Sequence, residues 1–268
     1  MTSSTPDALW GAPALRALNP SAITCTDLVR GGLLDRCSLV VPVGMRLLLV
    51  GQPEESASML VRILAGLSRP QHGRIEIAGL NDSTAGGWGR RVAYLGPEPG
   101  IHAWMTPREA LQLAARLLAL PASEAARRVE RALAWVRIPA DIADRPVGPG
   151  GPPLLQRTGL AASLIADPEV LLLEEPLRAL DGDDRARLLR LPGQRRTVVL
   201  ASHHPASEEG LVTHVALLRD GQVALLASLR DLEAAGQSLS MRGILALGDA
   251  RSAAEAARST ERAQAAAR

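Results

Sequence analysis

The segment 51–59, Gly-Gln-Pro-Glu-Glu-Ser-Ala-Ser-Met, stands where a loop could bind phosphate groups. A continuous apolar run precedes it at 46–50, and helical spacing of apolar residues follows at 58–67. A strand, loop and helix in this order can direct backbone N–H groups and the positive end of the helix dipole at an anion. In nucleotide-binding loops of this kind a lysine ammonium reaches the outer phosphates. This chain has Ala57 at that position and contains no lysine at all.

Other residues of the same loop also oppose phosphate binding. Glu54 and Ser56 stand where such loops have glycines, and Pro53 has no N–H to donate. The Glu54 and Glu55 carboxylates repel phosphate, because two unit charges about 5 Å apart interact by roughly 3 kcal/mol at an effective dielectric constant of about 20. Ser58, at the position of a magnesium-side hydroxyl, keeps the expected residue type. We therefore expect ordinary nucleotide binding to be lost.

The two acids of this loop also have a structural interpretation. A carboxylate is favourable at a helix N-terminus, where unpaired N–H groups and the macrodipole attract negative charge. On this interpretation, Glu54 or Glu55 folds over the N-terminus of the helix at 58–67 and takes the place of a phosphate.

The composition limits the classes of protein to which the chain can belong. All 30 of its Lys+Arg residues are arginine, which a GC-rich coding bias alone would explain. The formal net charge of +2 predicts no nucleic-acid partner. Cys25 and Cys37 lack the spacing of zinc ligands and predict buried, reduced thiols in a cytosolic protein. We recognise no signal peptide, and no apolar segment approaches about 18 residues, so we expect no membrane span.

Apolar runs alternate with helical patterns along most of the chain. Two runs, at 170–173 and 197–201, are typical of strands buried on both faces. Asp220-Gly221 stands between two further runs and is a strong hairpin signal. The alternation predicts an α/β fold with a parallel sheet and a helical insertion between Pro107 and Asp144.

Three parts are predicted along the chain. Residues 1–20 are rich in Ser, Pro and Ala and form a flexible N-terminal arm. Residues 21–240 form the α/β domain. Within it, the spacing of Thr106 and Glu109 predicts a capped start for the first inserted helix. Residues 241–268 form an Ala/Arg-rich C-terminal tail, either a solvated helix or disordered.

The stretch 166–181, Ala-Asp-Pro-Glu-Val-Leu-Leu-Leu-Glu-Glu-Pro-Leu-Arg-Ala-Leu-Asp, carries the strongest resemblance to a known family. It resembles the Walker B strand and D-loop of the ATP-binding domain of ATP-binding cassette (ABC) transporters, especially the multidrug and antibiotic export type. The run 197–202 followed by His203 is similar to the strand that ends in the family's switch histidine. Five segments follow the family's order, and the resemblance covers about 22–235. The resemblance implies an α/β fold with a P-loop NTPase-like parallel sheet core, an antiparallel β subdomain and a helical signature-loop subdomain inserted at about 106–160.

The resemblance implies roles for individual residues. Glu175 matches the general base that activates the attacking water, and His203 matches the histidine that contacts the γ-phosphate. Glu174 stands at the metal-side acid and Ser58 at the metal-side hydroxyl, so the implied cofactors are ATP and Mg²⁺. Without the resemblance, Glu175 reads as a solvated acid at a strand end and His203 as a hydrogen-bonded loop histidine.

The other nucleotide-binding positions depart from the family pattern. Pro97 stands at the Q-loop position, where the family has a glutamine that contacts metal and water. The signature loop matches Gly150-Gly151 by identity, whereas Gln156-Arg157 matches the following helix without a gap, and neither register supplies the family's serine. The nucleotide-binding positions implied by the resemblance are Gly51, Glu54, Glu55, Ser56, Ala57, Ser58, Met59, Pro97, Gly150 and Gly151.

We interpret the chain as a degenerate ATP-binding subunit of an export-type transporter, a pseudo-ATPase that serves as scaffold or regulator of an integral membrane permease. The alternative is a functional ATPase with a divergent phosphate loop, so whether the chain is an enzyme stays open. The resemblance implies a homodimer or a heterodimer with an intact ABC ATPase subunit, in the cytoplasm at the inner face of the cell membrane. Trp104 and Met105 lie where family members meet the permease, but core packing explains them equally well. Two cassettes or a long coiled coil, typical of relatives that act on nucleic acid or ribosomes, are absent from the sequence.

Overall fold

A computed structural model describes residues 20–81, 87–176, 179–189 and 196–266. Most of the predicted N-terminal arm lies outside these residues. The strands of the described residues are β1 (Ser21–Arg30), β2 (Leu34–Pro42), β3 (Arg46–Gln52), β4 (His72–Ile77), β5 (Val92–Leu95), β6 (Val170–Glu174), β7 (Thr197–Ala201), β8 (His214–Arg219) and β9 (Gln222–Ser228).

These strands form two sheets. The smaller sheet has the order β2-β1-β4 and is antiparallel. The larger sheet has the order β5-β6-β7-β3-β8-β9 and is parallel except for the antiparallel pairing of β8 with β9. The predicted fold class, a parallel core with an antiparallel β subdomain and a helical subdomain, is confirmed.

Helices cover the larger sheet and form the insertion between β5 and β6. The helices of the described residues are α1 (Glu55–Leu64), α2 (Trp88–Arg91), α3 (Pro107–Leu117), α4 (Ala122–Trp135), α5 (Ala140–Ala143), α6 (Gly151–Ser163), α7 (Gly182–Leu189), α8 (Leu229–Ala234) and α9 (Met241–Ala266). Helix α3 starts as predicted, because Thr106 Oγ1 accepts the Glu109 N–H at 3.1 Å and the Glu109 carboxylate accepts the Thr106 N–H at 2.9 Å.

The hairpin predicted at Asp220-Gly221 is confirmed. Both residues have left-handed φ angles, 51° and 75°, as a two-residue turn between twisted antiparallel strands requires. The same turn joins the two sheets, because the Asp35 N–H of β2 donates to the Gly221 carbonyl at 3.0 Å. A Cβ at position 221 would lie 2.5 Å from the Asp35 nitrogen, so only glycine fits there.

The core is aliphatic and divides into three clusters. The first lies between the two sheets and α1, the second between the opposite face of the large sheet and α9, and the third among α3, α4 and α6. Cys25 and Cys37 are free and buried in the first cluster, as predicted. Ile244 and Leu247 of α9 are buried in the second cluster, so the tail packs on the domain where its helix begins.

Candidate functional site

The predicted site residues that follow β3, β6 and β7 come together at one edge of the large sheet. Strands β6, β7 and β3 are parallel neighbours, so their carboxyl ends meet. Strand β3 ends at Gln52 and the loop with Glu54 follows it, Glu174 ends β6 and is followed by Glu175, and His203 follows β7. An edge where adjacent parallel strands end is the usual place for a ligand site in such sheets.

The loop after β3 closes on itself around Ser56. The Ser56 N–H donates to the Pro53 carbonyl at 3.0 Å, and the Ser56 hydroxyl donates to the same oxygen at 2.8 Å. A Cβ added at Gly51 would lie 2.3 Å from Ser56 Oγ, so the hydroxyl fills the space above the end of β3. Because this turn is already closed, α1 begins at Glu55, and the predicted start at 58 is wrong.

Ala57 and its neighbours belong to the protein interior. Ala57 is buried in the cluster under β3, and the half-buried Met59 packs against the same cluster. Ser58 is half-buried in the first turn of α1. The position where a phosphate loop has its lysine therefore carries a small apolar side chain.

Glu54 does not cap the helix as one interpretation of the sequence expected. It is the N-cap residue of α1, but its side chain makes no capping hydrogen bond. Its carboxylate instead lies 3.6 Å from His203 Nδ1. The structural interpretation is thus wrong for Glu54, because the histidine that follows β7 comes close to its carboxylate.

Glu175 and His203 are brought together at the same edge. The Glu175 carboxylate accepts the His203 backbone N–H at 2.7 Å and lies 3.7 Å from its Nδ1. The Glu175 N–H donates to the Ala201 carbonyl at 2.9 Å, and its φ of 49° is left-handed. His203 Nδ1 thus lies within 4 Å of two carboxylates, one from each neighbouring loop.

Glu174 is held by two side chains that the sequence reasoning did not identify. Arg62 donates from Nε to Oε2 at 3.1 Å and from Nη2 to Oε1 at 3.0 Å, and the Tyr94 hydroxyl donates to Oε2 at 2.6 Å. The pairing with Glu174 raises the pKa of Arg62, and burial together with the hydrogen bond to Glu174 raises the pKa of Tyr94. Helical spacing offered one signal, since Arg62 lies one turn after Ser58 on α1.

A second missed residue is Glu208, in a short 3-10 turn at Pro205–Glu208. Its side chain is buried, and within the described part of the chain its Oε2 has no hydrogen-bond partner. The pKa of Glu208 is raised to about 7, mainly by burial. The nearby charge of Glu175 also raises this pKa, whereas a hydrogen bond with Ser202 and the charge of Arg185 lower it. Arg185 of α7 donates to the backbone carbonyls on both sides, at Ser207 and Glu209.

The residues of both alignments considered for the signature loop make contacts within the chain. A 3-10 turn at Gly148–Gly150 precedes α6, which starts at Gly151 with a φ of 65°. The buried Gln156 amide donates to the Gly96 carbonyl at 3.4 Å, next to the half-buried Pro97. Arg157 pairs with Asp184 at 2.7 Å and with Asp181 at 3.0 Å.

The residues at this edge do not fit a magnesium-bound triphosphate. The Ser56 N–H is used by the Pro53 carbonyl, and the Glu54 carboxylate lies beside His203, where it would repel a phosphate. The Glu174 oxygens already accept from a guanidinium and a phenol. Within the described residues, no group of three or more His, Cys, Asp or Glu side chains is arranged to hold a metal ion.

No helix in the described ranges is both long enough and apolar enough to cross a membrane.

Comparisons with known proteins identify relatives across most of the chain. The family model described as ABC transporter matches residues 34–178. An uncharacterized ABC transporter ATP-binding protein of Nostoc sp. is 32% identical over 206 residues, which are 74% of this chain and 61% of that protein. The aliphatic sulfonates import ATP-binding protein SsuB of Corynebacterium glutamicum is 33% identical, over 71% of this chain and 76% of that protein. The nickel import ATP-binding protein NikO of Rhodobacter capsulatus is 34% identical, over 71% of this chain and 81% of that protein. The chain thus spans less than two thirds of the Nostoc protein's length.

Solved structures share the fold at lower identity. An ATP binding subunit of an ABC transporter has a TM-score of 0.72 and 23% identity, covering 84% of this chain and 99% of that chain. A dimeric ATP-binding cassette in a post-hydrolysis state, bound to ADP and Pi, has a TM-score of 0.68 and 18% identity, covering 78% of this chain and 99% of that chain.

Proposed function

Because the chain belongs to the ABC transporter family of ATP-binding proteins, we propose that it is a transporter subunit that docks on a membrane permease without hydrolysing ATP. Subunits of this family generally bind ATP and Mg²⁺, form dimers and pair with permeases. In this proposal the fold and the permease contact are kept, while the nucleotide site has lost its ligand. The chain then acts as a scaffold or regulator, in a homodimer or beside an intact ATPase subunit.

The observation that carries this proposal is the closed loop after β3. A phosphate needs backbone N–H groups that point outward into the loop, and the Ser56 N–H instead donates to the Pro53 carbonyl. The attraction that would offset this loss is missing as well, since the buried Ala57 replaces a lysine. Opening the loop would break the two hydrogen bonds of Ser56 without supplying a cation.

The test is calorimetric titration of the protein with ATP in the presence of Mg²⁺. We expect no binding heat at millimolar ATP. The matched variant combines Glu54→Gly, Ser56→Gly and Ala57→Lys, which removes one acid, frees the loop and restores a cation. Binding by this variant alone supports the proposal, whereas tight binding by the unaltered chain contradicts it.

A working ATPase with a divergent loop is the second candidate. It is favoured by one observation, the juxtaposition of Glu175 and His203 at the sheet edge. For this candidate, the unaltered chain hydrolyses ATP and Glu175→Gln abolishes the turnover. Equal phosphate release by the two proteins would reject it.

We assign the permease contact to an exposed apolar surface on the helical insertion. Trp104 is 69% exposed and stacks on His102, with ring centroids 5.5 Å apart, and Leu117 of α3 is 79% exposed. Trp104 stands just before α3 and Leu117 is its last residue, so the two exposed apolar side chains mark opposite ends of this helix. Exposed large apolar side chains are candidates for a protein contact. Met105, in contrast, is buried, so of the two residues singled out in the sequence only Trp104 is available for a partner.

Co-purification with a multi-span membrane protein encoded beside this chain tests that contact. Trp104→Ala and Leu117→Ser should each weaken it. Leu67→Ser is the matched control, because Leu67 is 64% exposed and follows α1 on another part of the surface. Equal loss in all three variants would contradict the assignment.

The direction of transport and the location are further parts of the proposal. We propose export, from the resemblance of the motifs, although two of the relatives described above carry import in their names. We also propose that the chain lies at the inner face of the cell membrane through its permease. Flotation of the complex with membrane vesicles, and its loss in Trp104→Ala, tests the location.

A further inference from the structure

Glu208 has a carboxyl group that the protein encloses at the carboxyl edge of the large sheet. The residue is 1% exposed, and within the described residues its Oε2 atom has no hydrogen-bond partner. The Leu211 N–H donates to the Glu208 carbonyl at 2.9 Å, so the backbone beside this side chain is held in place. A buried carboxylate without a full set of partners is costly, whereas the neutral acid is much less so. The packing around Glu208 therefore favours the protonated carboxyl group.

Groups of opposite effect face this carboxyl group from the neighbouring elements. Glu175, after β6, disfavours a second negative charge, whereas Arg185 of α7 and the buried Ser202 hydroxyl favour it. Strand β3 packs against the same turn, and its one titratable residue is Arg46. The titratable residues on the segment itself are exposed: His203, His204 and Glu209. Burial has the largest effect and raises the pKa of Glu208 to about 7, so its proton binds and leaves near neutral pH.

Arg185 bridges the two residues that flank Glu208. Its Nη1 atom donates to the Ser207 carbonyl and its Nη2 atom to the Glu209 carbonyl. A guanidinium forms a stronger contact with a carboxylate than with a neutral carbonyl, since both partners are then charged. An ionised Glu208 therefore competes with these two carbonyls for the same guanidinium. The segment has two possible sets of contacts, and the charge on one buried group selects between them.

The same segment carries His203 at its start. The His203 N–H donates to the Glu175 carboxylate at 2.7 Å. The Ser207 N–H donates to the His204 carbonyl at 2.9 Å, so the turn that contains Glu208 is hydrogen-bonded to the residue after His203. A rearrangement of the turn thus reaches the contact between His203 and Glu175.

We propose that Glu208 is a proton-controlled switch for the segment 203–209. While protonated, Glu208 stays buried and Arg185 holds the carbonyls on both sides of it. When the carboxyl group releases its proton to solvent, Arg185 leaves these carbonyls for the Glu208 carboxylate, and the turn loosens. His203 is then released from Glu175. The inference goes beyond the proposed function, because it requires neither a nucleotide nor a permease.

The test follows the backbone amide signals of the unaltered chain in ¹H–¹⁵N correlation spectra between about pH 5.5 and 8.5, a range centred on the expected change in charge. We expect the Ser207 and Glu209 signals to titrate with a midpoint near pH 7, because Arg185 changes its partner there. The His203 signal should move upfield over the same range as its hydrogen bond to Glu175 is lost. Amides at the centre of β6 should not shift, which shows that the chain stays folded.

Glu208→Gln is the matched variant, because it keeps a polar side chain of the same size without a proton that titrates. Its Ser207 and Glu209 signals should show no step near pH 7. Any change that remains in this variant arises from His203 and His204. Glu209→Gln removes the exposed acid at the next position, and it should keep the step.

Arg185→Gln tests the exchange of partners. Without the guanidinium, the charged form of Glu208 loses its nearest cation, so the midpoint should rise by about one pH unit, which is a tenfold weaker release of the proton. Arg185→Lys keeps the positive charge with fewer donors and should give a midpoint between those of the other two proteins. These two variants decide the question if Glu208→Gln does not fold.

A step near pH 7 that persists in Glu208→Gln would overturn the proposal, because His203 or His204 would then be its source. An unchanged midpoint in Arg185→Gln, or a His203 amide that does not respond in the unaltered protein, would also overturn it. None of these outcomes involves ATP. ATP binding by the unaltered protein would therefore reject the proposed function and leave the role of Glu208 to be judged by the pH titration.

Discussion

The interior of the large sheet and its carboxyl edge differ in what each requires of a side chain. Leu48, Leu172 and Leu200, on three neighbouring strands, are at most 1% exposed. In the loops after β3 and β7, the side chains of Glu54 and His203 are 61% and 40% exposed, and the carboxylate lies 3.6 Å from Nδ1. Apolar burial in the interior stabilises the fold. This burial does not restrict which side chains stand at the carboxyl edge. The side chains that stabilise the fold are therefore separate from those that stand at the ligand edge of the sheet.

Truncating an interior side chain should have the largest effect. Leu172→Ala removes a buried side chain from the centre of β6 and leaves a cavity, so it should destabilise the protein by about 3–4 kcal/mol. Denaturant unfolding followed by circular dichroism measures the change. Leu67→Ala, at an exposed position, should stay within about 0.5 kcal/mol. Similar losses in the two variants would break the distinction between interior and surface.

Glu208 is a buried acid at this carboxyl edge, and we expect its substitution to have an effect of intermediate size on stability. Its folded pKa of about 7 lies above the ordinary value of 4.5, so the folded protein holds a proton that the unfolded chain releases in this range. Stability should therefore fall as the pH rises from about 4.5 through about 7, by about 2–3 kcal/mol from this group.

Urea unfolding across that pH range, compared between the unaltered protein and Glu208→Gln, isolates this contribution. The variant should lose most of the slope and be the more stable protein above about pH 7. Glu209→Gln is the control, because Glu209 is the next residue in the chain and is exposed. A slope unchanged in Glu208→Gln would mean that the buried part of the edge does not control the pH dependence.

The exposed part of the edge should show the smallest effect. Glu54→Gln removes the carboxylate that lies 3.6 Å from His203 Nδ1, and even a fully charged exposed pair would contribute at most about 1 kcal/mol. We expect a loss below about 0.5 kcal/mol that disappears in high salt. Glu55→Gln is the control, because it changes the net charge by the same amount without removing this contact. An equal loss of stability in Glu55→Gln would contradict the role given to Glu54.

The fold was predictable because its signals are local. The Asp220-Gly221 turn and the Thr106 cap depend on residues next to each other or three apart, and both predictions are confirmed. Apolar runs likewise predicted β6 and β7, because strands buried on both faces have few polar residues.

The site was predictable only in part. The convergence of Glu175 and His203 followed from the order of parallel strands, which the family resemblance supplied. The two donors to Glu174 could not be predicted in this way, because Tyr94 is 80 residues away in the chain and Arg62 is 112 residues away. Glu208 resembles a surface acid beside Glu209, and only tertiary packing buries it. The roles of Pro97, Gly150 and Gly151 stay predictions, since no contact with a ligand tests them.

The contact between Gly221 and Asp35 has a consequence for mutational tolerance. Position 221 joins two sheets through a backbone hydrogen bond and has no space for a side chain, so a saturation library should accept glycine alone there. Position 54 already carries a large charged residue at an exposed site, and the same library should accept most residues. A position where the fold requires glycine, such as 221, thus differs from a position where phosphate loops use glycine to approach a ligand, such as 54. A deep mutational scan that reads out folding would distinguish the two kinds of position without an ATP assay.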